Sequence, residues 1–480
     1  MNFPKLLAAM ALIFLGTTQI NAQDFFVLEW GEDIPVAATD FDDNRPKIAL
    51  NDAGEPVIIW GKNTGPIYTS VGTSEGFTTP VQLNPEGTTT YNADWTGPEV
   101  AGANGEMYAV FQMEPQNTMG VHIVHSSDGG LTWSDTIRVD LLDYSLEQAR
   151  YPNIAVTEEG QPMVGFMKFE GNWIEPHYVV STSSDFGMTF NSDVNASNAL
   201  VPGEACDCCM GELVASPTRN VMLFRNNDDN IREMYAVSSA DGGQTFDQNW
   251  AVDLTETYSN TCFSSGPDGF VAGDKLYVAF RGHVEAGIRA HFSVSDVNNG
   301  VLEMHEMVDN NVAQNIKQTA VRIAGDANVR AVVWEEYVSL DHDIIAALEW
   351  GDGFQWRDTV NTNLSGQQIN PDIIFDGTAF HITYTDKDLD QVMYRKGVLA
   401  TGVNVAGLAE ESAELQWNGQ ELIWNETGTW NLRIVNLNGQ LVHKETTSKQ
   451  RIDLSFLSTG IYGVQVWNTS GQMMSLKINK

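Results

Sequence analysis

Three of the four cysteines in this 480-residue chain fall within four positions, Cys206-Asp207-Cys208-Cys209, and the fourth is Cys262. Sulfur at that density forms disulfides, holds a soft metal as thiolate, or exchanges thiol for disulfide. An even count in an exported chain gives two disulfides, and one of them can join Cys262 to the 206–209 cluster. The bridges cannot all be internal to Cys-x-Cys-Cys, because a relaxed disulfide holds its Cα atoms ~4.4–6.8 Å apart. The alternative is a copper or zinc thiolate site, although the spacing is not that of a paired Cys-x-x-Cys zinc module. A second concentration of charge is Arg225-Asn-Asn-Asp-Asp-Asn-Ile-Arg232, two guanidiniums bracketing an acidic loop. In so acidic a chain, an arginine pair is a local well for an anion. Asp386-x-Asp388-x-Asp390 begins like a calcium loop, but Gln391 replaces the sharp-turn glycine and Gly397 the closing glutamate. A solvated loop is the plainer reading. Trp95 and Trp173 on loops could stack on sugar rings, while most of the thirteen tryptophans belong to a core. Nucleotide-binding glycine loops, His-Glu-x-x-His and Gly-x-Ser-x-Gly are absent, which removes dehydrogenase, zinc-protease and α/β-hydrolase chemistry.

The elements that position these residues follow from composition. Lys and Arg number 26 against 63 Asp and Glu, a net charge of −37. Nucleic acid is excluded as a partner, since phosphate binding draws on clustered cations, and an anionic membrane surface is disfavoured likewise. Hydrophobic residues at 42% and aromatics at 10% supply enough apolar surface for a packed fold. Forty-two glycines against 16 prolines point to many tight turns between short strands. Lys5, the apolar run Leu6–Leu15 and Asn21-Ala22-Gln23 read as a cleaved signal peptide over residues 1–22. That run falls far short of the ~20 residues that span a bilayer, and no later segment is longer, so no transmembrane segment is expected. Export also places the cysteines where disulfides persist.

The last 80 residues differ in character, with six cations against seven acids. Trp430–Gly439 alternates and ends on an Asn-Gly hairpin signal, and Met474–Lys480 reads as a closing strand. A small antiparallel β-sandwich over 413–480, after a linker at 398–412, accounts for this; a carbohydrate-binding sandwich is the alternative. The segment resembles the C-terminal sorting domain of the type IX secretion system. Asn438-Gly439, Asp453-Leu454-Ser455, Leu457, Gly460-Ile461-Tyr462 and the basic end carry the resemblance. It implies the type IX machinery as a partner and a secreted or cell-surface location.

The middle repeats. Ser-x-Asp-x-Gly-x-Thr-aromatic occurs at Ser126–Trp133, Ser183–Phe190 and Ser239–Phe246, with Asp128, Asp185 and Asp241 lying 57 and 56 residues apart. In each, Asp accepts N–H groups across a tight hairpin, Gly supplies positive φ and the aromatic plugs a neighbouring layer. These segments resemble the Asp-box, or bacterial neuraminidase repeat, so residues 23–397 resemble a sialidase-type β-propeller. Seven strand-pattern starts, at Arg45-Pro46, Gly97-Pro98, Tyr151-Pro152, Gly211, Gly266-Pro267, Thr319 and Asn370-Pro371, favour seven blades over six. The seventh lacks a fourth strand, which Phe25–Trp30 can supply to close the ring. The fold expected is therefore all-β: a β-propeller followed by a small C-terminal β-sandwich.

In such propellers the Asp-box turns share one face, and the loops into strand one and between strands two and three open on the other. The cysteine cluster, the 225–232 loop and Cys262 then converge on one sector of that second face, with His177 and His283 near enough to add metal ligands. The resemblance further implies three arginines gripping a substrate carboxylate, a tyrosine nucleophile activated by glutamate, and an aspartate acid/base. Arginines on the loop face are Arg45, Arg150, Arg225, Arg232 and Arg281; tyrosines are Tyr151, Tyr337 and Tyr384. Acids there are Glu170, Glu175, Asp228, Asp229, Glu335 and Glu336. The Phe/Tyr-Arg-Ile-Pro motif is missing, Asn44-Arg45-Pro46-Lys47 being the nearest match, so no catalytic residue carries over. The expectation is an exported propeller acting on or binding glycans or a similar acidic ligand, first as an exo-α-sialidase that requires no cofactor. The alternatives are another glycosidase or lyase, a ligand-binding or adhesion propeller, and a cysteine-dependent metal or redox protein.

Overall fold

The computed structural model describes residues 26–37, 43–62, 65–93, 95–171, 173–197, 201–261, 263–285, 287–309, 312–350, 353–401, 415–425, 427–436, 441–468 and 473–480. The proposed leader, most of the linker, Cys262 and the Asn438-Gly439 turn lie outside them. No helix occurs among the described residues, and the chain divides into two compact units, one of which is Phe26–Ala400.

That unit holds seven antiparallel sheets, each counted here as a blade. Their inner strands are Asp43–Leu50, Glu99–Ala103, Glu147–Val156, Glu212–Val214, Asp268–Ala272, Lys317–Gly325 and Gln368–Phe375. Each lies against its neighbours in that order, and the last returns to the first, so the ring closes. Blade seven is completed by Phe26–Pro35, which pairs with the outer strand Gln391–Thr401. The closing strand is longer than the Phe25–Trp30 expected, and the outer strand continues past residue 398, where a linker was expected to begin. Asp33 fastens it: Oδ2 accepts from Tyr384 Oη at 2.6 Å and from Thr362 Oγ1 at 2.9 Å. The core is a set of layers between blades, such as Tyr108, Val110, Phe166 and Val179 between blades two and three.

Repetition extends to single residues. Asp128 Oδ1 and Oδ2 accept from Thr132 N and Oγ1 at 2.9 and 2.6 Å, and the same bonds recur at Asp185 and Asp241. The aromatic of each turn packs into the preceding blade, Trp133 beside Val57 and Val71, Phe190 beside Tyr108, and Phe246 beside Met163. At the opposite end, four inner strands begin with a bulge. The register slips at Asn44/Lys47, Arg150/Asn153, Thr319/Arg322 and Ile369/Asp372. Arg45, Tyr151, Ala320 and Asn370 take φ of 47–55° there. Three of these residues precede proline, which has no N–H to give to the ladder and so belongs at a bulge. The bulges re-aim side chains at the mouth of the channel.

The C-terminal unit is two sheets on one core. A three-stranded sheet of Leu415–Trp417, Glu421–Trp424 and Arg451–Asp453 accompanies a four-stranded one of Leu441–Thr447, Trp430–Asn436, Ile461–Asn468 and Met473–Asn479. Trp424, Trp430, Leu454, Leu457 and Tyr462 fill the space between them. Gly460 and Lys480 exchange backbone hydrogen bonds at 2.9 and 3.1 Å, tying the chain end into the sheet.

Candidate functional site

Three of the bulged strand starts, those of blades one, six and seven, line a cavity of about 480 Å³ at the mouth of the propeller channel. Blade six contributes most, with Thr319–Arg322 of its inner strand, the turn at Ser339 and Leu340, and the strand Arg330–Val338. Side chains alternate along that strand, so Glu335 and Tyr337 share one side and Glu336 the other. Glu336 is held away by Gln318 Nε2 at 3.0 Å, Trp334 Nε1 at 3.2 Å and Arg357. Glu335 Oε1 lies 2.7 Å from His342 Nδ1, and the His342 ring stacks on Tyr337 with centroids 4.5 Å apart. A carboxylate only accepts, so Nδ1 carries the proton and Nε2 remains for acid or base work. Arg45 from blade one and Arg281 from blade five also line the cavity, and Trp95, 38% exposed, stands at its rim. Arg45 Nε and Nη2 and Arg281 Nε make no hydrogen bond, Glu99 being 3.5 Å from Arg45 Nη2. Burial, with Arg322 adding, lowers Arg45 to about 10. Burial and then Arg225 lower Arg281.

The other candidate arginines are committed elsewhere. Arg225 has no solvent exposure, and its Nη1 and Nη2 donate to the carbonyls of Arg232 and Arg281 at 3.1 and 2.6 Å. Arg232 donates from Nε to Ser259 O at 3.1 Å and from Nη1 to Cys206 Sγ at 2.8 Å. The expected anion well between this pair is corrected: both side chains turn into the protein, and their donors tie loops together. Arg150 lies between Tyr151 and Trp173, 3.9 and 4.2 Å from the ring centroids. Tyr384 is buried on Asp33. Asp386 Oδ1 accepts the N–H groups of Asp388 and Leu389 at 3.0 and 3.1 Å, and Oδ2 accepts from Asn363 and Gln368. These bonds make a turn of the segment that resembled a calcium loop.

The cysteines do converge with the 225–232 loop. Cys206 Sγ is 3.1 Å from Cys209 Sγ and 3.5 Å from Cys208 Sγ, and Phe263 packs on the cluster. Cys208 is disulfide-bonded, whereas Cys206 and Cys209 are buried free thiols. The two-disulfide expectation is thereby corrected, because one bridge accounts for only one sulfur of the cluster. Burial opposes ionisation of Cys209, but the Cys206 S–H and the Arg225 and Arg232 guanidiniums outweigh it and bring the thiol to about 6. The hydrogen bond to Cys209, with burial, pushes Cys206 up. His177 bonds to Glu175 O at 2.7 Å and His283 packs edge-on against Phe263, so neither joins the sulfurs. Sequence reasoning missed His342, Arg322 and Lys387 at the axial cavity. The Glu335-Glu336-Tyr337 run was visible, but nothing local marks a single histidine on the next strand as its partner.

Among solved structures the chain is similar to an α-L-arabinofuranosidase from Fusarium graminearum in complex with an iminosugar inhibitor. The identity is 9% and the TM-score 0.45, over 67% of this chain and 98% of that one. An α-L-arabinanase from Penicillium chrysogenum complexed with arabinobiose gives 10% and 0.42, over 77% and 98%. A mutant of the NanB sialidase from Streptococcus pneumoniae gives 9% and 0.37, over 78% and 70%. A search of curated proteins found none that matches. Residues 410–479 match the family described as the secretion system C-terminal sorting domain, which marks the chain for type IX export to the cell surface or beyond.

Proposed function

We propose that the exported propeller binds an acidic glycan in its axial cavity and acts on it there as an exo-α-sialidase. The observation that carries this reading is the pair Arg45 and Arg281, which bring guanidinium nitrogens without hydrogen-bond partners to the same cavity as the Glu335–His342–Tyr337 cluster. A planar guanidinium fork fits a sugar carboxylate in two-point contact. Trp95 offers a ring face to the pyranose. Tyr337 attacks the anomeric carbon and passes its proton to the Glu335–His342 pair, and the departing glycosidic oxygen takes a proton from the same pair. Full-length chain should release the fluorophore from a fluorogenic sialoside. Tyr337→Phe should abolish turnover while the sialoside still binds, and Arg281→Ala should raise KM with a smaller effect on kcat.

A second reading, binding without turnover, is favoured by one observation. Among the described residues that line the cavity Glu335 is the only carboxylate, so the usual two-carboxylate hydrolysis has no second member among them. Retention of sialylated or uronic-acid glycans on an array, with no fluorophore release, would select it. A chain that neither cleaves nor retains any acidic glycan would sink both.

A further inference from the structure

The cysteine cluster of blade four is not used by the glycan reading, and its surroundings are those of a site. Cys206 and Cys209 are buried three residues apart on a turn closed by Cys209 N to Cys206 O at 3.2 Å, and their sulfurs are in contact. Between them in sequence, Cys208 is fixed by its disulfide and holds its own sulfur 3.5 Å from that of Cys206. The two thiols are therefore positioned before anything binds. Two guanidiniums face them. Arg232 Nη1 donates to Cys206 Sγ at 2.8 Å. Arg225, with no solvent exposure, lies 4.8 Å over the Phe263 ring that packs on both sulfurs. Among the described residues neither arginine meets a carboxylate; their bonds go to carbonyl oxygens and to sulfur. Two buried cations without an anion are costly to hold, and only the sulfurs are placed to supply the negative charge.

We infer that Cys206 and Cys209 form a copper(I) site. As thiolates they carry two negative charges, one Cu(I) returns one, and the remaining charge is set against Arg225 and Arg232. Binding releases to solvent whatever protons the two sulfurs still hold and changes no oxidation state, since the ion arrives as Cu(I). Soft thiolates select this ion, and two are enough for it. Zinc asks for four ligands. Here the third sulfur is spent in a disulfide, and no histidine or carboxylate belongs to the cluster among the described residues. Burial of both thiols also separates this site from a dithiol that exchanges with protein disulfides, because a protein cannot reach them. A metal ion can, past half-buried Asp207 and Cys208.

The test is an anaerobic titration of the full chain with Cu(I) held by bicinchoninate. One Cu(I) per chain should leave the competitor, and X-ray absorption of that complex should show sulfur neighbours only. Cys206→Ser and Cys209→Ser should each lose the ion, while Cys208→Ser should keep it with affinity weakened about tenfold by loss of positioning. The absorption measurement uses the unaltered chain, so a variant that fails to fold does not decide the matter. Unaltered chain with both thiols free that leaves all copper with the competitor overturns the proposal. So does a nitrogen or oxygen coordination shell, or stronger retention of Zn(II) than of Cu(I).

Discussion

At the scale of single residues, the difference between a cation that grips a ligand and one that holds a loop is decided by where its donors go. Arg225 and Arg281 both appear in the sequence as arginines on loop-face positions, and nothing in their neighbours tells them apart. Folded, Arg225 spends two N–H groups on carbonyls and has no surface, whereas Arg281 spends one, on Phe263 O at 2.9 Å, and keeps partial exposure beside the axial cavity. Arg225→Lys should thus cost about 2–4 kcal/mol in urea unfolding, because a lysine cannot reach both carbonyls and leaves polar groups unpaired. Arg281→Lys, which gives up a single carbonyl bond, should lower the unfolding midpoint less and weaken acidic-glycan retention. Equal destabilisation by the two changes would count against assigning the residues different roles. The same limit hid His342, whose bond to Glu335 crosses a turn between two strands and has no spacing of its own in the sequence.

Elements were far more legible, because their chemistry is local. The three Ser-x-Asp-x-Gly-x-Thr turns could be found by eye since each closes its own hydrogen bonds within seven residues. Asp185→Ala removes the bonds to Thr189 N, Thr189 Oγ1 and Ser183 Oγ together, and should lower the midpoint of thermal or urea melting. Asp128→Ala and Asp241→Ala should match it within error; a large spread would mean that the turns carry unequal loads. Gly130 is a stricter case, with φ at +91° and a position where a Cβ would lie 3.0 Å from Val57 of the preceding blade. Gly130→Ala should destabilise more than Gly242→Ala, whose added Cβ meets nothing within 4 Å and whose φ of +76° is similarly strained. The closing strand was legible for another reason: a seventh sheet short of one strand demands a partner, and Phe25–Trp30 was unclaimed. Its length was not, since Asp33 is held by Tyr384 and Thr362, hundreds of residues away.

For the molecule as a whole, the inner strands place one polar side chain each at the same level of the channel: Lys47, Glu99, Asn153, Glu212, Asp268, Arg322 and Asp372. They pair opposite Ile59, Val110, Gly165, Leu223, Ala279, Val333 and Thr383 of their second strands. Lys47 Nζ reaches Glu99 and Asp372 at 2.8 and 3.5 Å, and Asp268 and Asp372 accept the Ile323 and Ile48 N–H groups of the following blades. The ring binds blade to blade, and four acids against Arg45, Lys47 and Arg322 leave one charge over. Glu212 absorbs it. By area it keeps some exposure, but the ring encloses it, and burial, then Asp268 and Glu99, hold its carboxyl well above the ordinary glutamate value. Folded chain therefore keeps a proton that unfolded chain, with Glu near 4.5, has lost, so this group's contribution to stability falls as pH rises from there toward the folded value. Glu99 runs the other way. Burial resists its ionisation, but Lys47, Arg45 and Arg322 together lower its pKa, and the stability it gives is lost as pH falls. Glu212→Gln should keep the shape and remove the titration. Its melting temperature should exceed that of the parent by about 2 °C or more at pH 8 and approach it at pH 4. An equal difference at both pH values would mean that Glu212 is ionised in the folded ring and that the surplus charge is carried elsewhere.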